Sequence, residues 1–183
     1  MEAAVAVLLG TPRQQLNIVS LNKALFYLDL LWLRETGETV TRATYLALKK
    51  GPVVAKYDKR LVEALVKRGL AEQIQEGTAR PLRVLQPLET YKYLSPKACL
   101  SAREVGVMAA GTTSAVLSSF SHENPGWKLA YEKGQKHGAP PKPIDMVIAL
   151  QQFADDDTWL DEEPDDEMLR AMETASEQSA QPW

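Results

Sequence analysis

The stretch IVSLNKALFYLDLLWLRET, residues 18–36, predicts the helix around which the fold is organised. Its apolar residues recur at the spacing of one helical face, and further large apolar residues fall off that face. A helix that is apolar nearly all round is usually central and buried. Gly37 follows directly and is expected to end the helix. The residues on the stripe are Ile18, Leu21, Leu25, Leu28 and Trp32, and those off it are Phe26, Leu30 and Leu33.

The chain after this helix is expected to break at Gly51-Pro52. The preceding segment, residues 39–49, contains β-branched residues and Tyr45, so it fits either an extended strand or a short helix. Pro52 suits the first position of a new helix, where its missing N–H costs nothing, and Gly69 suits its end. We therefore predict a helix from Pro52 to about residue 68. Its apolar stripe would consist of Val53, Tyr57, Leu61 and Leu65.

A β-hairpin is predicted to follow. Residues 70–75 and 80–86 flank the four-residue turn Glu-Gly-Thr-Ala at 76–79, a pattern typical of a hairpin. Because proline has no N–H to donate, Pro81 confines the second strand to an edge or to a late start.

The second half of the chain predicts short helices. Ser101-Ala102-Arg103-Glu104 has the form of a capping box, which predicts a helix opening there and running through Ala110. A short helix is expected to end near Ser121, another to begin at Asn124-Pro125, and a last one to span 144–153. The predicted fold is mainly α with a small β-hairpin, of the α+β class, and partly winged-helix-like.

The charge distribution separates a body from a tail. The whole chain has 183 residues and a net charge of −3, but residues 1–154 carry +7 and residues 155–183 carry −10. So polar a segment cannot form a core, which predicts disorder in the free protein. We expect a domain at 1–153 and an acidic tail at 154–183, which aids solubility, contacts a charged partner or folds back on the body.

Composition favours a globular protein of a reducing compartment. The apolar fraction of 45% and the charged fraction of 25% are close to globular averages. The single cysteine, Cys99, excludes a disulfide within the chain. Residues 1–10 lack a basic start and are too short for a membrane span. We therefore expect a cytoplasmic protein that does not enter the membrane.

Chemical motifs favour binding over catalysis. Ser121 and His122 are adjacent, and such neighbours seldom face each other as nucleophile and base. Ser121 or Asn124 can instead cap the following helix, while His122 satisfies nearby backbone groups. With His137 as the second histidine and one cysteine, zinc-ligand spacing is absent. We expect no catalytic residue, no metal and no cofactor, and hence no enzyme.

Seven basic residues lie within twenty positions, on what we predict to be the helix before the hairpin. Three interpretations stay open: a solvated surface, a surface for a protein partner, and a nucleic-acid surface of a winged-helix-like regulator. Specific DNA binding is not expected, because the whole chain is acidic and the predicted helix face lacks Asn and Gln. The residues are Lys49, Lys50, Lys56, Lys59, Arg60, Lys67 and Arg68.

Three segments taken together resemble a known family. They are Leu21-Asn22-Lys23-Ala24-Leu25-Phe26-Tyr27, Lys50-Gly51-Pro52-Val53, and Ser121-His122 with Asn124-Pro125-Gly126-Trp127. In this order and spacing they resemble the Panacea, or SocA-like, antitoxin domain of bacteria and their phages. The matching positions are Leu21, Lys23, Tyr27, Gly51, Pro52, Val53, Ser121, His122 and Trp127.

The resemblance implies an antitoxin that neutralises a cognate toxin by direct binding. One subgroup of the family faces alarmone-synthetase-like toxins that modify tRNA, and another member delivers its toxin to an ATP-dependent protease. The sequence departs from the family pattern at Lys49-Lys50, where an aromatic residue is more common, and in its acidic tail. The alternative function is a DNA-binding transcriptional regulator.

Two groups of residues are candidates for contact with a toxin. The tail contains apolar residues that a purely solubilising segment would not need, and buried aromatic anchors often dominate interfaces. Residues 164–173 have the pattern of a short helix with one apolar face. The candidates are Lys49, Lys50 and Lys56 in the body, and Trp159, Leu160, Met168, Leu169 and Met172 in the tail.

Overall fold

The computed structural model describes residues 1–77, 79–88, 90–134 and 137–153. The predicted disordered tail, its short helix at 164–173 and its candidate contact residues therefore lie outside the described residues. The helices and strands belong to the unit Met1–Gln152, except that a 3₁₀ turn ends at Phe153. The described part is mainly α with small antiparallel sheets, which confirms the predicted fold class.

The central helix α2 (Ile18–Thr36) has the predicted bounds. The Asn17 side chain accepts a hydrogen bond from the Ser20 amide at 2.8 Å and so caps its first turn. Gly37 ends it in the left-handed conformation, with φ 78°, which glycine adopts without steric cost. Every residue from position 20 to position 30 is buried, so the prediction of a central, all-round buried helix is confirmed.

A first helix, α1 (Glu2–Leu9), packs against both α4 (Pro96–Ala110) and α2. The sequence pattern did not predict it. The approach to α4 is close, because a Cβ on Gly106 would lie 2.1 Å from the Val7 carbonyl oxygen. A Cβ on Gly10 would likewise meet the Arg103 carbonyl oxygen at 2.1 Å. Only glycine permits this backbone contact, which places α1 in the core.

The predicted helix from Pro52 is wrong at its start. Residues Gly51–Val54 form strand β3, which pairs antiparallel with β2 (Tyr45–Leu48) across the two-residue turn Lys49-Lys50. The helical part begins only at Asp58–Glu63, which is π-helical, and continues as α3 (Ala64–Lys67). Gly69 has φ 67° and follows the end of α3, as predicted.

The register of this hairpin explains the proline. The Ala55 amide donates to the Thr44 carbonyl at 2.8 Å. Because backbone groups of an antiparallel strand alternate in direction, the backbone N–H positions of residues 52 and 54 point away from β2. Pro52 has no N–H to leave unpaired there. The Val54 N–H donates instead to the Asn22 side chain of α2 at 2.9 Å. Pro52 therefore marks a strand edge covered by a helix, not a helix start.

The second hairpin is confirmed. Strands β4 (Ala71–Gln73) and β5 (Leu82–Val84) pair antiparallel, and Pro81 precedes a late strand start, as predicted. The sequence did not predict β1 (Gln15–Leu16), which pairs with the other side of β5. The sheet order is β1-β5-β4, so the strand after the proline is central.

The start of α4 differs from the prediction. Ser95 caps the helix by accepting from the Ala98 amide at 3.2 Å, and Pro96 occupies its first turn. The apparent capping box at Ser101 therefore lies inside the helix. Ser101 and Glu104 have the spacing of a capping box, but the Ser95 cap followed by Pro96 starts the helix earlier.

The last three helices agree in part with the predicted bounds. Helix α5 (Ser114–Glu123) ends two residues beyond Ser121, and α6 (Pro125–Lys133) begins at Asn124-Pro125 as predicted. The final helix α7 (Met146–Leu150) is shorter than the predicted 144–153. Ile144 is not helical because its amide donates to the Tyr45 carbonyl of β2 at 2.8 Å. No helix in the described ranges is long and apolar enough to cross a membrane.

Truncating the core of α2 tests this architecture. Leu28 is fully buried, whereas Leu31 on the same helix is 39% exposed. We expect Leu28→Ala to lower the free energy of unfolding by about 2–5 kcal/mol, since it leaves a cavity. The matched control Leu31→Ala should cost under about 1 kcal/mol. Urea denaturation measures both, and equal small losses would show that α2 is peripheral.

Candidate functional site

The three sequence segments that resemble the antitoxin domain meet at the tip of the β2–β3 hairpin. Lys23 reaches the tip from α2, and His122 and Trp127 reach it from the junction of α5 and α6. The backbone carbonyls of the tip at positions 48 and 50 accept hydrogen bonds from Trp127 and Lys23, and the His122 ring stacks on Trp127 beside them. We call this arrangement the carbonyl clamp.

Lys23 forms the first part of the clamp. Its Nζ donates to the Lys50 carbonyl oxygen at 2.5 Å, and the Ser118 hydroxyl of α5 donates to the same oxygen at 3.4 Å. The Lys23 residue is only 1% exposed. No ion pair is formed by Lys23 among the described residues, so a backbone carbonyl takes the place of a carboxylate partner.

Trp127 and His122 form the rest of the clamp. The indole Nε1 of Trp127 donates to the Leu48 carbonyl at 3.1 Å. The His122 ring lies beside the Lys49 backbone, and its buried Nε2 has no hydrogen-bond partner in the described structure. His122 stacks on Trp127 with ring centroids 4.3 Å apart. Stacking thus orients the Trp127 indole towards the tip.

Gly51 is required beside the clamp. Its φ of 105° is a conformation that residues with a Cβ rarely adopt. An added Cβ would also lie 2.5 Å from the Ser121 hydroxyl and 3.1 Å from Lys23 Nζ. The tip can therefore approach α2 and α5 this closely only with glycine at position 51.

Ser121 and His122 do not form a catalytic pair. Ser121 is fully buried, and its hydroxyl donates to the Ser118 carbonyl of the same helix at 2.9 Å. The neighbouring Glu123 carboxylate is exposed and pairs with Lys128 at 2.6 Å. Of the two candidate caps, Asn124 is the one used, since its Oδ1 accepts from the Trp127 amide at 3.1 Å. The geometry therefore provides neither an accessible nucleophile nor an oriented base.

The electrostatics of the clamp are unusual because Lys23 forms no ion pair with any acid in the described part of the chain. Burial, and then the charge of Lys50, lower the pKa of Lys23 to about 8. Burial also lowers the pKa of His122, and the Lys23 charge adds to that effect. The tip is therefore backed by positive charge that the body does not neutralise.

Two further polar side chains of α2 hold the hairpin, and the sequence analysis missed both. Besides receiving the Val54 amide, Asn22 donates to the Ile18 carbonyl at 2.8 Å. Asp29 is fully buried and accepts from the Thr41 amide at 2.7 Å, the Thr41 hydroxyl and the Tyr45 hydroxyl at 2.8 Å. Burial raises the pKa of Asp29. The sequence did contain a signal for these two contacts. Polar residues within a helix that is apolar all round are expected to be buried, and buried polar groups need hydrogen-bond partners.

The remaining motif residues lie near the clamp without joining it. Leu21 is fully buried in α2. Tyr27 contacts Phe120 with ring centroids 5.3 Å apart, and its hydroxyl donates to Gln152 at 3.5 Å. Val53 is half-buried and pairs with Leu46 in the hairpin.

The seven clustered basic residues do not share one helix, contrary to the prediction. Lys49 and Lys50 form the hairpin turn, because the strand replaces the predicted helix start. Lys56 precedes the π-helix in a left-handed conformation, with φ 57°. All seven are exposed, and none forms an ion pair within the described part of the chain.

Metal chemistry has no support in the described ranges. No group of three or more His, Cys, Asp or Glu residues there could hold a metal ion. Cys99 is a half-buried thiol on α4.

Comparison with known proteins gives one finding. A family model described as antitoxin SocA-like, Panacea domain, matches residues 21–128, which run from α2 into α6 and include Lys23, His122 and Trp127. No curated protein and no solved structure matches the chain.

The buried Lys23 should give stability a distinct pH dependence. Because its pKa is lowered in the folded state, the unfolded chain binds the extra proton, and stability rises as pH increases through about 8 towards 10.5. From pH 8 to 9.5 we expect a gain of about 1–2 kcal/mol that Lys23→Met lacks. Urea midpoints of both proteins measure this, with the exposed Lys59→Met as control. Parallel pH profiles for wild type and Lys23→Met would contradict a buried ammonium.

Proposed function

The chain belongs to the SocA-like antitoxin family with a Panacea domain, and from this premise we propose that it neutralises a cognate toxin by binding it directly. The carbonyl clamp is the observation that best supports the proposal. The residues shared with the family pattern are buried around the hydrogen-bonded backbone of the tip and do not form an accessible reactive group. Such residues serve to present a surface, which suits stoichiometric inhibition.

We propose two kinds of contact with the toxin. Lys49, Lys50 and Lys56 are exposed cations of the body that can meet an acidic surface. The acidic tail can add apolar anchors to a basic site on the toxin. Those anchors are Trp159, Leu160, Met168, Leu169 and Met172, all outside the described residues.

The class of toxin follows only from the family resemblance. An alarmone-synthetase-like enzyme that acts on tRNA is our first candidate, in the cytoplasm of a bacterium, with the gene carried by the host or by a phage. Delivery of the toxin to an ATP-dependent protease is compatible with the same binding surface. The transcriptional regulator loses support, because Lys49 and Lys50 occupy a turn and not a recognition helix.

Titration against the toxin tests the proposal. The product of the adjacent open reading frame should co-purify with the chain, and its toxic activity should fall linearly to zero at an equimolar ratio. Neutralisation by a small fraction of an equivalent, with turnover, would show an enzyme instead. Failure of the adjacent product to bind would overturn the proposal.

Deleting residues 155–183 separates the two kinds of contact. We expect the truncated protein to keep the melting midpoint of the full chain and to bind the toxin more weakly, since it lacks five apolar anchors. Trp159→Ala should reproduce much of that loss. Undiminished binding and growth rescue by the truncated protein would assign inhibition to the body alone.

A further inference from the structure

The inference concerns how the hairpin tip recognises its partner, and it rests on the proposed function. We propose that Lys49 and Lys50 are the specificity-determining contacts with the toxin, that they select a patch of carboxylates on it, and that Lys23, His122 and Trp127 are positioning residues. The positioning residues act through the backbone carbonyls of the tip and do not touch the toxin.

The clamp makes the tip rigid before binding. A two-residue turn is usually a mobile, solvent-exposed part of a hairpin. Here the carbonyl of Leu48 is bound at 3.1 Å and that of Lys50 at 2.5 Å by side chains from two different helices. The His122 ring stacks on Trp127 and so supports the donor to Leu48. A backbone ordered in advance loses less conformational entropy on binding, so more of the contact energy appears as affinity.

The clamp also fixes the direction of the lysine side chains. The Leu48 and Lys50 carbonyls are bound by donors that lie in the body of the protein. Gly51 brings this backbone so close to Ser121 that no Cβ fits between them. The side chains of Lys49 and Lys50 are both exposed. The tip therefore presents two adjacent ammonium groups to solvent from a fixed backbone.

The charge around the tip favours an acidic partner. The buried Lys23 ammonium lies directly behind the tip and has no carboxylate partner in the described ranges. The acid that follows His122, Glu123, is already paired with Lys128. Carboxylates on a partner would meet Lys49 and Lys50 and lower the repulsion among all three lysines.

A protein surface fits the tip better than a nucleic acid. Lysine can contact guanine, but the turn Leu48-Lys49-Lys50-Gly51 has no asparagine or glutamine to read adenine and no aromatic side chain to stack on a base. The nearby Trp127 of α6 is buried and stacks on both His122 and Tyr131. We therefore commit to a carboxylate-bearing protein surface.

Charge reversal at the tip tests the contact. The double variant Lys49→Glu/Lys50→Glu changes only exposed side chains, and Lys59→Glu/Arg60→Glu on the π-helix is the matched control with the same change in charge. Binding of the full-length proteins to the purified product of the adjacent open reading frame would be measured by calorimetry. We expect about a 100-fold loss of affinity for the tip variant, and under about 5-fold for the control.

Conservative variants test the positioning role. Lys49→Arg/Lys50→Arg keeps both charges and should bind within about 5-fold of wild type. Trp127→Phe removes the hydrogen bond to Leu48 but keeps an aromatic ring, and should weaken binding by about 10-fold at a temperature where the variant is fully folded. A lower melting midpoint with unchanged affinity would show that Trp127 is merely structural.

Each outcome decides a separate claim. If wild type binds the toxin and the tip variant binds equally well, the toxin contacts another surface and the inference is wrong while the proposed function stands. If tip and control variants lose affinity equally, the effect is general charge and not tip recognition. Nanomolar binding of a promoter duplex at physiological salt, lost on tip reversal, would identify nucleic acid as the partner. If wild type does not bind the toxin at all, both proposals fail.

Discussion

Hydrogen bonds to two carbonyls of one turn connect the parts of this structure. Lys23 brings α2 to the turn, and Trp127, stacked on His122, brings the start of α6 to it. Segments about a hundred residues apart in the sequence are thereby joined through the backbone of the turn. The Asn124 cap begins α6 at the position that places Trp127 at the Leu48 carbonyl.

The buried polar residues of α2 give the helix packing its register. The hydrophobic effect is not directional, so it alone does not fix the rotation of a helix that is apolar all round. Asn22, Lys23 and Asp29 fix this rotation, because each would be left buried without a partner after any rotation. Burying a lysine without a carboxylate is costly, and its retention is consistent with a role in specifying one arrangement rather than in adding stability.

Local signals were sufficient for part of the fold. The bounds of α2 and the β4–β5 hairpin followed from periodicity, capping and turn residues. Pro52 was misassigned because proline is favoured both at a helix start and at a strand edge, and only the Val54–Asn22 contact distinguishes them. Helix α1 escaped prediction because a short, wholly buried run has no amphipathic period.

The candidate site was located residue by residue through resemblance, but the clamp itself consists of contacts between distant segments, which no local pattern encodes.

Amide hydrogen exchange across the hairpin tests the clamp most directly. In wild type we predict slow exchange for the ladder amides of β2 and β3, comparable with that of α2. In Lys23→Met, exchange should speed up in residues 45–55 while α1, α2 and α4 stay protected, since the hairpin then opens locally without global unfolding. Unchanged protection of the hairpin in Lys23→Met, or a uniform loss of protection across the whole domain, would contradict the view that the clamp specifically holds the tip.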